Sequence, residues 1–390
     1  MYIYIHSSGL SDAFKVHSDI SMDICHKHYL LLLCLLIVSL STFFAEEIEA
    51  LPSPRALNHN SVTAVLVFGD STVDSGNNNF VKTIFKGNFP PYGKDFPNHE
   101  PTGRFTNGRL ATDFIASYVG VKDFVPPYLD PSLGIEKLMT GVSFASGGTG
   151  FDPLTPQISN VIGIPQQVEY FKEYKKRLES AIGKKTTENH IKKALFIISA
   201  GTNDFVVNYF TLPVRRKTFS VSAYQQFILH KTLQLVQDLI DEGAKRISVT
   251  GLPPLGCLPI VITLFSKNFI LERGCIEYFS SIGKKFNQML QNELNLVHNR
   301  YPDVRIDLFD AYGPLTDMIQ GVQSSEFDVV NSGCCGTGYL EAGILCNPKS
   351  FLCPDASKYV FWDSIHPTET TYYNLFQAIR PTVDFLIRDP

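Results

Sequence analysis

Residues 65–79 read VLVFGDSTVDSGNNN. An apolar run from Ala64 to Phe68 breaks at Gly69 into Asp70-Ser71 and a string of small polar residues. A short, continuously apolar run ended by glycine reads as a strand buried on both faces, whose chain then leaves the sheet and presents a serine at the turn. Runs of similar form recur at 141–145, 194–199, 246–250 and 304–309, each followed within two residues by Gly or Asp. Helical patterns lie between them at 109–119, 164–182, 222–242 and 272–299, with a final helix expected over 367–380. In the third pattern Thr232, Leu235, Val236, Leu239 and Ile240 recur at helical spacing, and Gly243 supplies the stop. The alternation predicts an α/β fold with a parallel sheet covered by helices on both faces.

The chain has 390 residues, 44% of them hydrophobic and 18% charged, which is ample material for a core. Net charge is −4, and no basic tract exceeds short groups such as Lys175-Lys176 and Arg215-Arg216-Lys217. A polyanion would find no docking surface, so nucleic acid is not the expected partner. Residues 29–45, YLLLLCLLIVSLSTFFA, follow His26-Lys27-His28 and precede Glu46-Glu47. This is the form of a secretory signal peptide, with a signal anchor as the competing reading because 17 residues approach the length of a bilayer span. A start at Met22 would give an n-region of ordinary form, and residues 1–21 are not expected in the working protein. The organisation expected is a leader over 1–50, a linker over 51–62 and one domain over 63–390.

Cys25 and Cys34 fall in the leader, leaving Cys257, Cys275, Cys334, Cys335, Cys346 and Cys353. An even number of cysteines in an exported chain predicts disulfides, with the pairing open among 15 possibilities. A zinc site is the competing reading, disfavoured by the lack of paired C-x-x-C spacing. Two irregular stretches, 88–109 and 331–354, read as long loops, and the second carries four cysteines that would brace it. No N-x-[ST] sequon occurs, so export here would not entail N-glycosylation.

In an open parallel sheet, ligands bind beyond the carboxyl ends of the strands. Residues after the strands here are Asp70-Ser71, Ser146-Gly147-Gly148 and Gly201-Thr202-Asn203-Asp204, and near the C-terminus stands Trp362-Asp363-Ser364-Ile365-His366-Pro367. Together they are an inventory for acyl transfer: a serine, a glycine turn, an asparagine, and an aspartate three residues before a histidine. Ser71 needs His366 to take its proton, and His366 needs Asp363 to fix its tautomer. The developing oxyanion needs donors, for which the Ser71 amide, a backbone N–H at Gly147 and the side chain of Asn203 are candidates, with Gly148 as the alternative glycine. Each element alone has a plainer reading, as an Asx turn, a tight glycine turn or a helix cap. Pro367 suggests that His366 itself caps the final helix. Residues 146–150, SGGTG, lack the spacing of a dinucleotide fingerprint, and no cofactor is expected.

These blocks resemble the GDSL-type, or SGNH, hydrolases. GDSTVDSGNNN, PPYGKDFP, PTGRFTNGR, GVSFASGGTG, GLPPLGCLP, CCGTG and FWDSIHPT are similar to the large plant GDSL esterase/lipase group, over about residues 63–385. The resemblance implies a three-layer α/β/α, flavodoxin-like fold with a five-stranded parallel sheet, acting on carboxylic esters without metal or cofactor. By motif position it implies Ser71 as nucleophile, Asp363 and His366 as the rest of the triad, and Ser71, Gly147 and Asn203 as the oxyanion hole. It implies a secreted enzyme of the cell wall or apoplast acting on acyl lipid, cutin-like, acetyl-polysaccharide or phenolic esters. The alternatives are acyl transfer at the same site or an idle cell-wall binding protein. Thr72 stands where the family name expects leucine, which leaves the local packing and acyl preference open.

Overall fold

The computed structural model describes residues 62–322 and 326–388. The expectations for the leader, and for all but the last residue of the linker, fall outside these residues. These described residues belong to one compact unit.

Four parallel strands make the main sheet in the order β1 (Val65–Gly69), β2 (Leu195–Ser199), β3 (Arg246–Thr250), β4 (Arg305–Phe309). Every residue of β1 and β2 is buried although successive side chains point to opposite faces, so both faces are covered. The helix Ile164–Ile182 packs against β1, and the helix Glu369–Ile387 packs against β3, β4 and the helix Ala111–Tyr118. Rings of Phe68, Phe144, Phe171 and Phe196 interlock beside β1 and β2 at centroid distances of 5.0–6.3 Å. A separate parallel pair, β5 (Val329–Gly333) and β6 (Tyr359–Phe361), lies next to the cysteine-rich loop.

The α/β class is as the sequence predicts, but the strands number four plus two, not five. The run 141–145 does lie along the free edge of β1, where Val67 N–H donates to Val142 and Phe144 N–H to the Val67 carbonyl. It makes only single parallel bridges, Val67 to Ser143 and Pro127 to Ser143. The ladder breaks at its far end because Gly69 N–H, which would complete the next bridge to this run, donates instead to Gln167 Oε1 at 2.9 Å. On the side away from β1, the Asn77 side chain donates to the carbonyls of Ser143 and Ala145 at 2.8 Å, and Tyr128 N–H also takes Ser143. Counted with this run, the spatial order is 2-1-3-4-5, and β1 stands where the winding reverses. That is where an open α/β sheet places its ligand.

The final helix also departs from expectation. Its N-cap is Thr368, whose Oγ1 accepts from Thr371 N–H, so His366 lies two residues before the cap and is not the cap itself. The helix continues through Pro381 to Ile387.

The end of β1 is a steric bottleneck. Gly69 has φ +140°, and a Cβ there would lie 1.8 Å from the Ser199 carbonyl oxygen. The side-chain amide of Gln167 grips the same residue from the other side, accepting from Gly69 N–H at 2.9 Å and donating to its carbonyl at 3.0 Å. Gly69→Ala is therefore expected to destabilise the fold by about 3 kcal/mol or more. Gly183→Ala, at φ +82° with no atom within 4 Å, should lose only about 1 kcal/mol. Urea unfolding of both variants checks the contrast, and equal losses would mean that backbone conformation alone matters at Gly69.

Candidate active site

Past Gly69 the chain closes a local turn. Asp70 N–H donates to Ser199, and Asp70 Oδ1 accepts from both the backbone N–H and the hydroxyl of Thr72. Thr72 Oγ1 also meets Ser199 Oγ at 2.9 Å, so threonine at this position anchors the turn to the end of β2. Burial outweighs these hydrogen bonds and pushes the Asp70 carboxyl up to about 6. Ser71 is left at the apex.

The structure brings together residues 295 positions apart: Ser71 Oγ lies 2.8 Å from His366 Nε2. His366 Nδ1 lies 2.7 Å from Asp363 Oδ2 and 2.9 Å from Oδ1. A carboxylate only accepts, so Nδ1 carries the proton and Nε2 presents a lone pair to the Ser71 hydroxyl. Asp363 is itself fixed by its own turn, with Oδ1 accepting from Ile365 N–H at 2.9 Å and His366 N–H at 2.8 Å. Ser71, Asp363 and His366 are 7%, 0% and 5% exposed, so the array is nearly dry, which strengthens its electrostatics.

The glycine turn is arranged differently from expectation. Gly147 N–H is engaged, donating to Asp74 Oδ2 at 2.9 Å. The absent side chain at Gly147 makes room instead, because a Cβ would come 2.4 Å from the ring of Phe105, which stacks on the His366 ring at 5.2 Å. Among the described residues, the backbone N–H groups of Ser71 and Gly148 find no acceptor. Asn203 donates one Nδ2 proton to the Thr149 carbonyl at 2.9 Å, which orients the amide and leaves its second proton available. It stands at the mouth of the π-helical turn Asp204–Thr211.

Buried carboxylates hold this wall in place. Asp74 accepts from Gly76, Asn77 and Gly147, and burial raises its carboxyl to about 6. Asp204 accepts from Phe151, Asp152 and Thr155, and burial raises it to about 7. Asn78 Nδ2 donates to Gly147 O and Phe85 O. Asn78 thus staples the glycine turn, while Asn77 and Asn79 hold the backbone at 143–145 and at Thr102, roles the sequence reading did not assign.

An apolar cavity of about 110 Å³ lies beneath the same loops, at the ends of all four main strands. Its lining includes Asp70, Thr72, Thr202 and Ile365, each next in sequence to a site residue.

All six cysteines are paired: Cys257 with Cys275, Cys334 with Cys353, and Cys335 with Cys346. Among the described residues, then, every cysteine is in a disulfide. One further contact was not foreseen. Tyr92, from the 88–109 loop, donates its hydroxyl to Asp363 Oδ2 at 2.8 Å.

With this geometry established, comparison with known proteins is decisive. The family model described as GDSL-like Lipase/Acylhydrolase matches residues 65–379. GDSL esterase/lipase At5g45960 of Arabidopsis thaliana is 58% identical over 84% of this chain and 88% of its own. Two others from the same plant, GDSL esterase/lipase At1g06990 and GDSL esterase/lipase APG, are 44% and 42% identical. They cover 81% and 82% of this chain and 88% and 90% of their own. The chain belongs to the plant GDSL esterase/lipases. It is accordingly a serine ester hydrolase, and in this GDSL esterase/lipase the four sequence blocks converge at one end of one sheet.

Gly147→Ala tests the reading of the glycine turn. Its backbone N–H is already bound to Asp74, so the substitution should act by displacing Phe105 from His366, lowering kcat about 10- to 100-fold with the fold retained. Steady-state kinetics beside a circular dichroism spectrum measures this, and unchanged kcat would show that Phe105 moves aside freely.

Proposed function

We propose that this protein hydrolyses carboxylic esters through an acyl-enzyme on Ser71. The observation that carries the reading is the continuous chain from Ser71 Oγ to His366 Nε2 at 2.8 Å and from His366 Nδ1 to Asp363 Oδ2 at 2.7 Å. Ser71 Oγ attacks the acyl carbon as His366 takes its proton, and Asp363 holds the imidazolium that forms. The carbonyl oxygen, now negative, is met by the Ser71 N–H, the Gly148 N–H and the free Asn203 Nδ2 proton. Gly148 replaces Gly147 in this role because its N–H has no other acceptor among the described residues. Collapse breaks the ester C–O bond, and His366 returns its proton to the leaving alcohol. Water then attacks the acyl carbon as His366 takes its proton, and collapse breaks the acyl–Oγ bond, His366 returning the proton to Ser71 Oγ as the carboxylic acid leaves.

Three disulfides support export to an oxidising compartment, as the apolar leader at 29–45 suggests. Among the described residues no helix is long and apolar enough to cross a membrane.

Ser71→Ala should keep the fold and lose both turnover of p-nitrophenyl acetate and labelling by a fluorophosphonate probe. Wild-type turnover by that variant would remove Ser71 from the mechanism. Asn203→Ala should lower kcat by about 10²- to 10³-fold with little change in KM, as for one lost oxyanion donor. A rise in KM alone would make Asn203 a substrate-binding residue.

A further inference from the structure

Asp363 is fully buried, and a buried carboxylate must be met by donors on every lone pair it keeps. Oδ1 has two backbone donors from its own turn. Oδ2 has the imidazole and one other partner, Tyr92 Oη. That tyrosine comes from 271 residues away in sequence. Its ring is clasped edge-on by Phe89, Phe105 and Trp362 at 5.8, 6.0 and 6.4 Å. Trp362 directly precedes Asp363, and Phe105 is the ring stacked on His366, so one loop grips both members of the acid–base pair.

The loop closed by the Cys335–Cys346 disulfide lies beside the phenol, with the backbone of Gly343 near its oxygen. Burial and the Asp363 charge push its ionisation well above the ordinary tyrosine value, so it remains a donor throughout the working range. Tyr92, Cys334, Cys335, Cys346, Cys353 and Trp362 belong to one small buried cluster, separate from the main core.

We propose that Tyr92 is a positioning residue of the catalytic triad: its hydroxyl pins Asp363 Oδ2 so that the carboxylate faces His366 Nδ1, and the disulfide-braced loop fixes the tyrosine. The inference rests on the hydrolase reading above. Without the phenol, Oδ2 keeps only the imidazole as partner. The carboxylate gains freedom to turn, which lowers the population of the reactive arrangement. Its charge is also less shared, so protonated His366 is held more firmly and the neutral base appears at higher pH. The other titratable groups facing this pair are Asp70 and Tyr372, and the substitution leaves both in place.

Tyr92→Phe keeps the ring between Phe105 and Trp362 and removes one atom, and thermal melting verifies that it folds. Its kcat for p-nitrophenyl acetate should fall about 10-fold with KM within about twofold of wild type. The acid limb of the kcat/KM profile should move up by about half a pH unit. In an Asp363→Ala background the same substitution should add nothing, since its partner is gone. Wild-type kcat with an unmoved acid limb, or full additivity with Asp363→Ala, would reduce Tyr92 to a core residue and overturn the proposal. A Ser71→Ala enzyme with wild-type turnover would instead fail the triad itself, so the two failures are distinguishable.

Discussion

The site depends on a contact that has no room in it. At Gly69 the backbone of β1 passes so close to the Ser199 carbonyl that no side chain could stand between them, and Gln167 closes the other side. Because the strand must end there, Asp70 turns inward and Ser71 turns outward. Hydrogen bonds from Thr72 to Asp70 and Ser199 keep that turn from relaxing. Ser71 is placed by the way two strands leave a parallel sheet, and His366 then has to reach it from the far end of the chain.

The wall opposite the nucleophile is built from buried polar side chains that substitute for regular secondary structure. Asn77 takes carbonyls of the 143–145 run, Asn78 takes that of Gly147, and Asp74 takes the Gly147 amide. Such groups are expensive to bury, as the raised carboxyls of Asp70, Asp74 and Asp204 indicate. The sign is that of an acid whose folded-state value exceeds its unfolded one. Its stabilising share is present at low pH and is lost as pH rises through about 6 for Asp70 and Asp74 and about 7 for Asp204. A wall made only of apolar residues would avoid that loss. It could not hold an irregular backbone with two N–H groups left open.

This distribution explains what could be read from the chain. The strand runs and the helix Ile164–Ile182 were legible because each is a local pattern of apolar residues answering to burial. Ser71 and Asn203 stood out as candidates because they follow strand ends, and Asp363 and His366 because an aspartate stands three residues before a histidine. The run at 141–145 falls short of a regular strand because Gly69 N–H, its next ladder partner, goes to the Gln167 side chain 98 residues away, which periodicity does not encode. Gly147 was identified as special for a different reason from the one found, since sequence shows an absent side chain but not whether the space or the N–H is used. Placing His366 as the helix cap followed from Pro367, yet Thr368 offers a hydroxyl to an open helix N–H and takes the position. Tyr92 stands in the PPYGKDFP block, but that block lies in a proline-rich loop with no period, so its reach to Asp363 could not be read from the chain.

The cysteine-rich loop and the 88–109 loop look, by composition, like surface variation suited to specificity. Part of each is instead structural support for the base. Cys334 and Cys335 donate backbone N–H groups to Phe361 and Trp362, and Ser364 donates to Glu341, so the braced loop runs alongside the segment that carries Asp363. Closing loops of 11 and 19 residues by disulfides restrains the unfolded chain by about 3 kcal/mol each in the chain-entropy view. That restraint falls on a region with only a small core of its own, around Tyr92, Phe105 and Trp362. A histidine base works only if its carboxylate stays within a few tenths of an ångström of one place. Here the main sheet holds the serine while a second, disulfide-held cluster holds the carboxylate. The 2.8 Å contact between Ser71 and His366 is where the two supports meet.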